Sequence, residues 1–192
     1  MNVQEATTRR LPDLKGRYLP ENCRETINTI LKETYGYEQF RNLEIYDDLS
    51  KGKEKLCISQ GQLIENVILE AEKAWKGETQ VDNILLTAPT GSGKSLLFQL
   101  PAIYLGKEYN LLTIVVSPLK ALIVDQVESL QELGYTRVAY ASSDLSPEQK
   151  MEVYRQVREG EIDLFYLSPE LLLSYDIKHF VGERRIGLVV VD

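Results

Sequence analysis

From Ser59 onward the chain alternates between two hydrophobic rhythms. Leu63, Ile64, Val67, Ile68, Ala71 and Trp75 recur at three- and four-residue steps, which predicts a long amphipathic helix over about 60–76, closed by Gly77. Short apolar runs then predict strands at 83–87, 112–117, 137–140, 163–167 and 187–191. Helical patterns separate them at about 94–105, 119–133, 147–159 and 169–174. Strands dense in Val, Ile and Leu that alternate with helices specify an α/β fold, a parallel sheet with helices on both faces. Before Ser59 the rhythm weakens. Residues 1–20 mix Arg9, Arg10, Lys15 and Arg17 with Pro12, Gly16 and Pro20 without a period, the pattern of a loosely docked arm. Ile27, Ile30 and Leu31 mark one face of a helix within about 21–35, and residues 36–57 are polar enough to predict a connector. The expected organisation is a partly helical or flexible extension over 1–55 and one α/β domain over 56–192.

Three of the predicted helices open with Ser-Pro, at Ser117-Pro118, Ser146-Pro147 and Ser168-Pro169. A serine hydroxyl accepts from a free first-turn amide, and proline fits the first helical position because its missing donor had no partner there. Ser146 has Gln149 three residues on, which completes a capping box. Ser117 and Ser168 also follow strands directly, at the sheet edge where open α/β folds bind ligands.

Composition narrows the function classes. Of 192 residues, 43% are hydrophobic and 27% charged, as in an ordinary globular protein. No apolar run approaches the length a bilayer needs, and 1–10 hold no apolar stretch fit for a signal peptide, so a soluble cytoplasmic protein is expected. The net charge of −7 argues against a surface that attracts nucleic acid by bulk field, although helix-start amides hold phosphate without lysine. Cys23 and Cys57 lack CxxC spacing and read as reduced thiols. His179 stands alone, which excludes a zinc site or a serine–histidine triad built within this chain.

The strongest chemical signal is Ala88-Pro89-Thr90-Gly91-Ser92-Gly93-Lys94-Ser95, between a predicted strand and a predicted helix. A triphosphate is a dense anion whose desolvation requires many donors at short range. Gly91 and Gly93 let the backbone turn successive amides inward, and the helix start adds partial positive charge. Lys94 then reaches the β- and γ-phosphates, and Ser95 offers its hydroxyl to Mg2+. The apolar run from Gly187 to Val191 ends on Asp192, an acid placed to orient that magnesium. These residues predict a phosphate-loop nucleotide site for ATP with Mg2+.

Over about 60–192 the sequence resembles superfamily 2 helicases, and within them the RecQ-like group. The resemblance rests on the phosphate loop, on Val115-Val116-Ser117-Pro118-Leu119-Lys120-Ala121-Leu122 with Asp125-Gln126-Val127, on Ala141-Ser142-Ser143, and on Asp163 through Leu172 with its Ser168-Pro169-Glu170. Ser-Pro-Leu followed by Asp-Gln looks like RecQ and unlike DEAD-box RNA helicases. The resemblance implies a RecA-like first motor lobe that binds ATP and Mg2+. It implies that Ser117, Pro118, Leu119, Lys120, Ser142, Ser168, Pro169 and Glu170 face the backbone of single-stranded or tailed duplex DNA, with RNA as the other nucleic acid to test. It also implies a second RecA-like lobe in the intact protein.

Two departures stand out. The family reads adenine with Phe-Arg-x-x-Gln shortly before the loop. Here Phe40-Arg41 copies its start, but Glu44 stands where glutamine belongs and the gap to the loop is too long. Gln62 or Gln60, at the start of the long helix, is the expected substitute. The family also continues past the aspartate as Asp-Glu-Ala-His, so this chain is expected to bind nucleotide and hydrolyse it poorly. Arginine fingers from a second lobe account for roughly 10³–10⁵-fold in turnover. The rival readings are another superfamily 2 motor, such as an RNA helicase or a defence or restriction translocase, and a non-catalytic nucleotide-gated adaptor.

Overall fold

The computed structural model describes residues 23–46, 55–86 and 91–192, of which 45, 46, 55 and 56 by backbone alone. The chain divides into two compact units, Met1–Pro101 and Ala102–Asp192. The sequence-based boundary lies at 55 instead.

In the first unit, α1 (Glu25–Tyr35) buries Ile27, Ile30 and Leu31, the face the periodicity marked, and Gly36 ends it in a left-handed conformation. Residues 36–57 are more than a connector. They contain β1 (Asn42–Tyr46) and the start of β2 (Lys55–Ser59), an antiparallel pair in register from Asn42↔Ser59 to Tyr46↔Lys55. Strands of five residues flanked by charges are too short to show a period, and the cross-strand pairing supplies what the pattern does not.

Ser59 then starts α2 (Gln60–Trp75) with a capping box: its hydroxyl accepts from Gly61 N at 3.2 Å and its own N–H donates to Gln62 Oε1 at 2.9 Å. Arg24, the N-cap of α1, donates to Glu65 at 2.6 and 2.8 Å and to Glu72 at 2.6 Å, both on α2. Burial pulls the Arg24 guanidinium down, but its bonds to Glu72 and Glu65 more than offset this and leave it raised. Buried carboxylates survive when they are paired in this way.

Residues 83–86, expected as most of a strand, form none, and Ile84 and Leu85 are exposed. An apolar run becomes a strand only where another strand completes its hydrogen bonds, and no ladder partner occurs for it among the described residues. Thr87 lies outside the described residues.

α3 (Leu96–Tyr109) contains Pro101, where the units divide. The second unit holds a four-stranded sheet, all parallel, in the order β4-β5-β3-β6. Its strands are β3 (Leu112–Val116), β4 (Val138–Ala141), β5 (Leu164–Leu167) and β6 (Ile186–Val191). The helices between them are α4 (Lys120–Glu132), α5 (Pro147–Arg158), α6 (Pro169–Ser174) and α7 (Ile177–Val181). This is a RecA-like α/β arrangement. β3 and β5 are buried throughout, as their largely apolar composition demanded. Their side chains join Tyr154 of α5 and Phe180 of α7 in one apolar cluster. The short α7 had no signature in the sequence.

Asp163, fully buried ahead of β5, receives Arg137 at 2.6 and 2.8 Å, Arg184 at 3.0 Å and the Tyr135 hydroxyl at 3.1 Å. The Asp163 bond pushes Arg137 up, whereas burial pulls Arg184 down. Among the described residues no helix is long and apolar enough to cross a membrane.

Candidate functional site

Parallel pairing lines up the carboxyl ends of four strands. Ala141 pairs with Leu167, Leu167 with Val116, and Val116 with Val191. The residues that follow these, Ser142, Ser168, Ser117 and Asp192, therefore stand in one row along the sheet edge, about 4.8 Å from strand to strand. Two backbone bonds extend the ladder into that row: Ser117 N donates to Leu167 O at 3.1 Å, and Asp192 N to Val116 O at 2.9 Å. Four residues chosen from scattered stretches of sequence thus share one edge, where open parallel sheets bind ligands.

The serines in the row differ in what they do. Ser168 caps α6, accepting from Leu171 N at 3.3 Å, and Ser146 caps α5 through the expected box with Gln149. Ser117 caps nothing, contrary to expectation. α4 starts only at Lys120, its N-cap is Leu119, and the buried Ser117 hydroxyl has no hydrogen-bond partner. The two residues between Ser117 and the helix place that hydroxyl out of reach of the first turn. Ser142, also buried, accepts from Asp144 N at 3.4 Å.

Pro118 and Leu119 are exposed, Leu119 by 62%. Lys120 donates to Asp144 at 2.9 Å and to the Ser143 hydroxyl. An anion approaching Lys120 must therefore compete with Asp144. Pro169 is half-buried and Glu170 exposed. The Glu170 carboxyl is held below the usual glutamate range by its own backbone N–H and then by the Ser168 hydroxyl. As an anion it would repel phosphate, so its backbone is the group suited to that contact.

Asp192 is held from α4. Gln126 Nε2 donates to Asp192 Oδ2 at 3.3 Å, and Gln126 Oε1 accepts from the Tyr166 hydroxyl at 2.9 Å. Neither Gln126 nor Tyr166 was singled out for a role in the sequence. In the sequence Gln126 figured only within the Asp125-Gln126-Val127 stretch that follows Ser117-Pro118-Leu119.

In the first unit, Gly91 and Gly93 both adopt φ +79°, a left-handed conformation that other residues rarely take. Alternation of this kind turns successive amides toward one side, as an anion requires. The ladder of α3 starts with Leu96 N on Gly93 O at 3.2 Å and Leu97 N on Lys94 O at 2.9 Å, so Lys94 and Ser95 sit on its first turn. Lys94 and Ser95 are half-buried, and the Ser92 hydroxyl is buried without a partner. Ala88, Pro89 and Thr90 lie outside the described residues.

The two candidate adenine readers both have their amides engaged. Gln62 Oε1 serves the capping box, while Gln60 bonds Arg41 N through Oε1 and Ser92 O through Nε2, each at 3.1 Å. No cluster of three or more His, Cys, Asp or Glu side chains able to hold a metal occurs among the described residues. Mg2+ keeps several waters and phosphate oxygens in its shell and needs only one or two protein oxygens, so it does not require such a cluster.

Comparison with known proteins bears on this arrangement. The family model described as DEAD/DEAH box helicase matches residues 62–192. Over 165 residues the chain is 32% identical to an ATP-dependent DNA helicase RecQ of Synechocystis sp., covering 86% of this chain and 28% of that one. It is 32% identical over 169 residues to ATP-dependent DNA helicase Q-like 5 of Arabidopsis thaliana, covering 88% and 15%. It is 30% identical over 164 residues to RecQ of Bacillus subtilis, covering 85% and 22%. The chain thus spans 15% to 28% of the length of these relatives. Among solved structures, the DUF1998 helicase MrfA bound to DNA and AMPPNP matches with a TM-score of 0.53 at 20% identity, covering 96% of this chain and 25% of that one. That likeness is one of fold.

Proposed function

The chain belongs to the DEAD/DEAH box helicase family, with RecQ helicases among its relatives, and we propose that it is the first motor lobe of an ATP-dependent DNA helicase. The paired left-handed glycines at the start of α3 carry this reading, because their backbone suits a polyphosphate and little else. The amides of the loop from Ala88 to Ser95 wrap the phosphates, and Lys94 neutralises them. Ser95 would offer its hydroxyl and Asp192 its carboxylate to Mg2+, which would shield the charge that develops on the phosphates. Adenine is read at the start of α2, by Gln62 or Gln60.

The sheet-edge row is the proposed track for a single-stranded tail of DNA. Ser117, Ser142 and Ser168 offer hydroxyls and backbone amides, and Pro118, Leu119, Lys120, Pro169 and Glu170 flank them. Such contacts hold a backbone without reading its sequence. The unpartnered Ser117 hydroxyl supports this, since a buried polar group without a partner is costly until a ligand supplies one. In the intact protein a second RecA-like lobe would close on the nucleotide and move the strand, and cytoplasmic residence is part of the same proposal.

Thermal unfolding with Mg·ATP tests the reading. Ligand at about 100 times its dissociation constant should stabilise the chain by about 2.7 kcal/mol, and Lys94→Ala should lose that gain. Equal melting temperatures with and without Mg·ATP in the unmodified chain would reject it. Titration with single-stranded DNA and single-stranded RNA, with Ser117→Ala alongside, decides the second part.

A further inference from the structure

Gln60, the first residue of α2, is 2% exposed, and both ends of its amide are committed. Its Oε1 accepts from Arg41 N at 3.1 Å, and its own N–H donates to Arg41 O at 2.9 Å. Its Nε2 donates to Ser92 O, inside the phosphate loop, at 3.1 Å. The loop lies flush against it, since a β-carbon on Gly93 would stand 2.6 Å from that nitrogen. One side chain therefore joins the base of the β1–β2 hairpin to the loop.

The consequence lies in the Ser92–Gly93 peptide. This bond is trans, so its carbonyl and its N–H point in opposite directions. Tying Ser92 O back to Gln60 turns Gly93 N–H away from α2, toward the side where the loop accommodates an anion. Were this peptide to flip, a carbonyl oxygen would face the phosphates instead of a donor.

We propose that Gln60 is a positioning residue that locks the Ser92–Gly93 peptide with its N–H toward the phosphates, and so sets polyphosphate affinity rather than the choice of base. This rests on the reading of 91–95 as a phosphate site. It also assigns work to the inserted hairpin. β1 and β2 pair from Asn42↔Ser59 inward, which carries Arg41 back beside Gln60 across the intervening residues. Arg41 N then fixes the amide end that faces away from the loop.

The test titrates the full chain and its Gln60→Met variant, which keeps the bulk beside Gly93 but neither hydrogen bond, with Mg·tripolyphosphate, Mg·ATP and Mg·GTP. The dissociation constants for tripolyphosphate and ATP should rise together by about tenfold, the scale of one or two hydrogen bonds, with the ATP-to-GTP ratio unchanged. Unchanged tripolyphosphate binding would overturn the proposal, whether ATP-to-GTP discrimination collapses, as for a base reader, or stays intact.

Lys94→Ala separates the two levels. If it binds all three ligands as the unmodified chain does, the phosphate site itself is wrong. If it loses them while Gln60→Met does not, only the role of Gln60 is wrong. A readout independent of mutation is the Gly93 amide proton in the unmodified chain. It should shift strongly on adding Mg·tripolyphosphate, and a static Gly93 resonance beside shifting neighbours would overturn the assignment even if Gln60→Met failed to fold.

Discussion

Gln126 of α4 holds Asp192 at the end of β6, with its Nε2 3.3 Å from Oδ2. The same side chain is oriented by the buried Tyr166 hydroxyl at 2.9 Å, so a relay of three residues from three elements fixes one carboxylate. A carboxylate that orients a metal works best when its rotamer is set before the metal arrives. Gln126→Leu should therefore weaken the Mg2+ dependence of ATP binding by roughly tenfold, the lower range seen when such supporting partners are removed. A magnesium titration at fixed ATP measures this, and nucleotide binding without metal should change little.

Asp163 sits fully buried between Arg137 and Arg184. Replacing it with alanine leaves the Arg184 guanidinium, itself 5% exposed, without its carboxylate. The expected loss is about 3–5 kcal/mol of unfolding free energy, measured by urea denaturation, with a folded remainder that still binds nucleotide.

Arg24 answers two buried carboxylates at once. Arg24→Ala should cost about 3–5 kcal/mol, because Glu65 and Glu72 stay buried without their cation. Arg24→Lys should recover only part, since a point charge cannot serve both carboxylates as a planar fork does. Hydrogen exchange across α1 is the measurement, and faster exchange confined to its first turns is the expected pattern.

Cys23 and Cys57 sit in different environments. Burial, and then the Glu65 carboxylate, push the Cys23 thiol from 9.0 up to about 12, while Cys57 is exposed. The folded state thus keeps a proton that the unfolded chain releases. This contribution to stability is whole below about pH 9 and is lost as pH rises from there toward about 12. Cys23→Ala should flatten that decline in a denaturation series. Iodoacetamide at mildly alkaline pH should modify Cys57 and spare Cys23 in the folded chain.

How much of this was legible depended on whether the deciding interaction was local. The periodicity of Ile64, Ile68 and Ala71 found α2, and the largely apolar runs found β3 and β5, because burial writes itself into adjacent positions. The turn at Gly91 and Gly93 was legible for the same reason, since a left-handed φ is a demand on one residue. Ser146 and Ser168 capped as expected, whereas Ser117 did not, because the start of α4 was misplaced by the residues before Lys120. The run at 83–86 was read as a strand on its apolarity, but strand formation depends on a neighbour that the run does not specify. The roles of Gln126 and Gln60 were hidden more deeply. Each depends on residues far away in sequence, Asp192 in one case, Arg41 and Ser92 in the other.

The hairpin that returns Arg41 to Gln60 also joins two stretches that lie far apart along the chain. Phe40-Arg41 and the glutamines of α2 read as unrelated along the chain, yet the Asn42↔Ser59 pair closes the detour at its neck. Once a neck is closed, lengthening what lies beyond it costs only a slowly growing loop entropy, about 0.6 kcal/mol per doubling. A peptide tag spliced between Tyr46 and Lys55 should therefore leave nucleotide affinity intact.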